Sequence, residues 1–138
     1  MLRVANAVMA ALFALAAAVQ VNDPDPVRWM AVYGAACACS LMAARGRSPH
    51  PAVPAALAAI AVAWAVTIGL RVGASSYPHM FDAWEMKTPA IEEAREATGL
   101  VLVAGWMLVG ATTSHLTSPV RTRKSRRRPS MTETSDRP

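Results

Sequence analysis

Charge is missing from two long stretches of this chain. Residues 4–19 and residues 51–70 contain no Asp, Glu, Lys or Arg. A soluble amphipathic helix interrupts its apolar face with polar residues every three or four positions, so that class is excluded for both stretches. About 20 residues at a rise of roughly 1.5 Å each cross a hydrocarbon core of roughly 30 Å, and runs of this length predict membrane spans. Cysteine is scarce too. Cys37 and Cys39 stand two apart, which on a helix turns them to nearly opposite faces and excludes a disulfide or a shared metal between them. Both are expected to be buried free thiols. No serine or cysteine stands beside a histidine in a nucleophile motif. No charge lies deep in an apolar run, which argues against a conducting path through the membrane.

What is present is apolar and organised in blocks. With 138 residues, 54% of them hydrophobic, the chain is one domain's worth and reads as membrane-embedded. Four spans are expected, at residues 3–21, 27–44, 51–72 and 98–113. Thr88-Pro89 has the pattern of a helix N-cap followed by proline at the first helical position. The fourth helix is therefore expected over residues 89–113, with its charged first turns above the bilayer. Asp25-Pro26 repeats the pattern at the second helix, and Asp23-Pro24 stops the first. The fold class that follows is all-α: a four-helix transmembrane bundle over residues 1–114. Residues 115–138, rich in Ser, Thr, Pro and Arg, are expected to form a disordered basic tail.

The net charge of +5 belongs to that tail. Seven basic and two acidic residues after Ser114 account for all of it. The remainder balances seven against seven, which leaves a nucleic-acid partner without support. The tail cluster Arg121, Arg123, Lys124, Arg126, Arg127 and Arg128 suits anionic lipid headgroups instead. Four spans put both termini and the loop with Arg45 and Arg47 on one side, together with ten of the fourteen basic residues. By the positive-inside rule that side is cytoplasmic. A cleaved signal peptide ending near Ala14-Leu15-Ala16 is the competing view, disfavoured because the uncharged run is long and Arg3 is a thin positive region. Residues 75–88, with Tyr77, Phe81 and Trp84, are expected to lie at headgroup level on the outer side. High Ala, Val and Arg usage points to a GC-rich bacterial genome, and so to a bacterial inner membrane.

Two polar knots then fall together on the outer side. The first is Gln20-Val21-Asn22-Asp23-Pro24-Asp25, followed by Arg28, Trp29 and Tyr33. The second is Glu92-Glu93-Ala94-Arg95-Glu96, leading into Thr98-Gly99-Leu100 and Trp106. Both strings, in this order and helical context, resemble the signatures of the transmembrane protein 220 family, over roughly residues 4–113. The resemblance implies a small multi-span membrane protein and supports these residues as the site. It implies no particular biochemical activity.

On the fourth helix Glu92, Arg95, Glu96, Gly99, Val103 and Trp106 follow spacings of three and four and share a face, with Glu93 about 100° away. The plainest reading of the knots is helix-end chemistry: Asp25 as N-cap, Asp23 in the turn, the glutamates at a helix N-terminus, and arginines pairing with them. Gln20 and Asn22, at the membrane edge, are left over by that reading and need partners. The ligand- or partner-binding candidates are thus Gln20, Asn22, Asp23, Asp25, Arg28, Trp29, Tyr33, Glu92, Glu93, Arg95 and Glu96. With no catalytic residue or cofactor identified, the expected role is a non-enzymatic accessory protein whose outward acidic cup docks a membrane or extracytoplasmic partner. The alternative is a cation-dependent site, binding or catalytic, with Asp23, Asp25, Glu92 and Glu96 as oxygen ligands. Carboxylates converging on a space of ion size favour the alternative; carboxylates each paired with an arginine favour the first.

Overall fold

The computed structural model describes residues 1–23, 25–72, 77–78 and 88–117, with side chains to residue 114. Most of residues 75–88, expected to lie at headgroup level, and nearly all of the basic tail lie outside the described residues. Four helices follow in order: α1 (Leu2–Val19), α2 (Pro26–Ala44), α3 (Ala52–Gly69) and α4 (Pro89–Thr117). A single 3-10 turn, Gln20–Asn22, extends α1. All four are long and apolar enough to cross a membrane. The shortest, at 18 residues, are about 27 Å long, close to the thickness of a hydrocarbon core. The 29 residues of α4 exceed that thickness, so its acidic first turn can stand clear of the lipid.

The helix ends follow local chemistry. Pro26 opens α2 at a position where its missing N–H costs nothing. Pro54, buried in the first turn of α3, is tolerated for the same reason. At the end of α2 the N–H of Gly46 donates to Ala43 O at 3.0 Å and that of Arg47 to Met42 O at 2.9 Å. This is a Schellman closure, and Gly46 takes the left-handed conformation it needs, with φ 74°. Two boundaries differ from expectation. α3 gives way at Leu70, where Arg71 and Val72 both donate to Ile68 O and tighten the last turn. α4 runs three residues past Ser114.

Packing inverts the soluble pattern. Alanines fill the interhelical space (Ala36, Ala58, Ala61, Ala94 and Ala97 are buried), whereas Leu12, Leu15, Ile60, Val66, Val101 and Leu102 are exposed. Lipid is as apolar as leucine, so large side chains lose nothing by facing outward, and small ones let helices approach. Thr67, Thr98, Thr112 and Thr113 donate their hydroxyls to carbonyls three or four residues back, which satisfies them inside the helix.

α1 packs along α2 and α3 along α4, while α2 alone joins the two hairpins. No Cα of α1 lies within 8 Å of α3 or α4 among the described residues. An aromatic seam crosses the join. Phe13 of α1 stacks on Tyr33 at 6.5 Å between centroids, Tyr33 is 6.2 Å from Trp29, and Trp29 is 4.6 Å from Trp64 of α3. Tyr33 also rests its hydroxyl on Gly99 of α4.

Candidate functional site at the acidic end

The antiparallel order of the helices brings the end of α1, the start of α2, the end of α3 and the start of α4 to one end of the bundle. Five acidic residues meet there, and all of the described ones are among them: Asp23, Asp25, Glu92, Glu93 and Glu96. They surround a pocket of about 320 Å³. Trp29 and Ile68 are buried at its base, and the exposed Arg28 and Arg71 stand at its edge.

Each acid has its own placement. Asp23 leaves the 3-10 turn in an extended conformation, its N–H donating to Gln20 O. Its Oδ1 accepts the N–H of Asp25 at 2.9 Å, an Asx turn across the proline that holds the carboxylate over the helix junction. Asp25 occupies the N-cap position of α2 without capping it; its carboxylate pairs with Arg28. Arg28 in turn lies with its guanidinium 5.8 Å from the centre of the Trp64 ring. Glu93 faces α3, with Oε1 3.9 Å from an Arg71 nitrogen.

Asp23, Glu92 and Glu96 remain. These three, all half-buried, present carboxylate oxygens that lie within 4.8 Å of one another. At an effective dielectric near 20, two unit charges at that distance repel by roughly 3 kcal/mol, and by less where water reaches them. A hard divalent cation uses carboxylate oxygens at about 2.3–2.6 Å and fills its remaining positions with water. Three oxygens at this spacing form one side of such a shell.

The candidate set therefore divides. Asp23, Asp25, Arg28, Trp29, Glu92, Glu93 and Glu96 come together around the pocket. Of the four carboxylates expected to form a cation site, three converge and Asp25 does not, because Arg28 one turn away on its own helix holds it. Gln20 and Asn22 lie on the 3-10 turn outside the pocket lining, and Arg95 is likewise not among the residues that line it. Tyr33 lies one turn deeper, buried against Gly99. Trp64, Ile68, Arg71 and Pro89 line the pocket without having been among the candidates, and Trp64 and Ile68 were not singled out from the sequence at all. They belong to α3, which is apolar on every side and shows no face by periodicity. The available signal was the spacing Trp64, Ile68, Arg71, which repeats at four and three toward the acidic end.

No solved structure matches the chain. The family model described as transmembrane family 220, helix, matches residues 12–112, a span that includes both knots, the aromatic seam, all of α2 and α3, most of α4 and the second half of α1. The chain is a multi-pass integral membrane protein and belongs to transmembrane family 220.

Proposed function

We propose that this protein is a non-enzymatic membrane protein whose acidic cup faces outward and takes a cation. The observation that carries this is the convergence of Asp23, Glu92 and Glu96 within 4.8 Å, while the two nearby arginines engage Asp25 and Glu93. Neither described ion pair includes any of these three carboxylates. The distribution of Arg3, Arg45 and Arg47 at the opposite end supports cytoplasmic termini, and composition supports a bacterial inner membrane.

A second reading draws on the pairs Asp25–Arg28 and Arg71–Glu93. Their exposed charges suit the rim of a docking surface for a membrane or extracytoplasmic protein. The two readings are compatible: a cation in the cup would hold α4 against the α1–α2 junction and stiffen that surface.

Thermal unfolding in detergent tests the proposal, with calcium, magnesium and zinc titrated separately against wild type, Asp23→Asn and Asp25→Asn. At a hundredfold excess over the dissociation constant, a bound ion adds about 2.7 kcal/mol of stability, enough to raise the midpoint by several degrees. Wild type and Asp25→Asn are expected to show the shift, and Asp23→Asn to lose it. Equal shifts in all three proteins, or none, would remove the cation from the reading.

A further inference from the structure

Ser40 carries a buried side-chain oxygen that has no hydrogen-bond partner among the described residues. It is 2% exposed and sits on α2 at the end of the bundle opposite the carboxylates. The described threonine hydroxyls solve the same problem by donating to a carbonyl one turn back. Ser40 does not. An unsatisfied hydroxyl costs free energy wherever water is excluded, so an acceptor brought into the cleft that Ser40 lines would relieve it.

Ser40 lines a cleft of about 340 Å³ formed where the hairpins diverge. Arg3 and Asn6 of α1 stand on one side, and Trp106 and Met107 of α4 on the other. No Cα of α1 comes within 8 Å of α4 among the described residues, so the cleft separates these two helices. Arg3 is the one charged residue lining it, and its guanidinium packs against Gly46, where the absence of a side chain makes room. Arg45 and Arg47 follow in the same turn. Every described acid is at the far end of the bundle, and neither described ion pair involves these three arginines. The field here is positive and uncompensated, beside a hydroxyl donor and walls that include Leu2, Pro54 and Met107.

We propose that this cleft binds an anionic phospholipid. Arg3 pairs with the phosphate, Ser40 Oγ donates to a headgroup oxygen, and an acyl chain leaves between α1 and α4. A free anion would use Arg3 and Ser40 but not the apolar walls. This site is built from α1, α2, α3, α4 and the turn between α2 and α3, and rests neither on the basic tail nor on the acidic cup.

The test uses the full chain, purified and delipidated in neutral detergent, with thermal midpoints read against phosphatidylglycerol, phosphatidylcholine and inorganic phosphate. Phosphatidylglycerol is expected to raise the midpoint by several degrees and the other two to leave it unchanged. Arg3→Gln is expected to abolish that response. Ser40→Ala should weaken apparent affinity about fivefold, the scale of one lost hydrogen bond, while leaving the lipid-free protein at least as stable as wild type. Arg47→Gln, outside the cleft lining, should keep the response. Equal responses to the two lipids, a response to phosphate as large as to phosphatidylglycerol, or a full response in Arg3→Gln would each overturn the proposal.

Discussion

The hydroxyl of Tyr33 occupies the space that a side chain at Gly99 would need. Tyr33 belongs to α2 and Gly99 to α4, so this contact is one of the few places where the first hairpin meets the last helix. It lies just below the carboxylates, since Gly99 follows Glu96 by less than one turn. The registration of α4 against α2, and with it the position of Glu92 and Glu96 relative to Asp23, depends on the missing side chain.

Gly99→Ala should therefore force α4 away from α2. Overpacking of this kind costs about 1–3 kcal/mol, read as a lowered midpoint in detergent. Tyr33→Phe removes the colliding oxygen, so the double variant should recover part of the loss. A Gly99→Ala protein as stable as wild type would mean that the two helices are not in register here.

Trp64→Ala should loosen the join between the hairpins. It removes the ring stacked 4.6 Å from Trp29 and the platform under Arg28. The stacking contributes about 0.5–1.5 kcal/mol beyond its packing area. Trp64→Phe should retain most of that stability, and Trp64→Ala should lose it together with the emission of a stacked indole.

Burial and then the carboxylates of Glu92 and Asp23 push Glu96 up to about 7. In a chelator Glu96→Gln should therefore become more stable than wild type, by about 1 kcal/mol, as the pH rises above that value and the three carboxylates repel one another. Asp25→Asn should change stability by less than about 1 kcal/mol, as expected for an exposed ion pair. With a binding cation present, the order of wild type and Glu96→Gln should reverse. If Glu96→Gln is less stable than wild type in chelator at a pH above the raised value of Glu96, repulsion within the cluster is not the dominant force.

Gly46→Ala should weaken the turn between α2 and α3. At φ 74° a Cβ is disfavoured by about 1 kcal/mol, and it would also meet the Arg3 guanidinium at 2.9 Å. Asn tolerates the left-handed region better than Ala, so Gly46→Asn is expected to fall between Ala and wild type in thermal midpoint.

Sidedness is checked with a membrane-impermeant thiol reagent on intact cells. Asn22→Cys should label from outside and Arg47→Cys only after lysis. The native Cys37 and Cys39, within α2, should react slowly in both conditions. The opposite labelling pattern would invert the bundle and place the cup in the cytoplasm.

The helices could be read from the sequence because lipid imposes a rule on composition that acts residue by residue. An uncharged run long enough to cross must be helical, and proline beside aspartate or threonine marks where such a run begins. α3 was the exception in detail. Its apolar residues surround it completely, so no periodicity showed that Trp64 and Ile68 would face the cup.

The sequence by itself determined the four spans, their alternation, and therefore that Asp23 and Glu92 share one end of the bundle. Those are consequences of apolar length and of counting crossings. Only the tertiary structure decided which carboxylates meet. Asp25 and Glu93 are drawn to Arg28 and Arg71, while Asp23, Glu92 and Glu96 are left facing one another. That choice rests on the rotation of α4 about its axis, set by Tyr33 against Gly99 and by alanines packed between helices. The same holds for Ser40: any serine on α2 could have bonded its own helix, and only the divergence of the hairpins shows a cleft beside its unpaired hydroxyl.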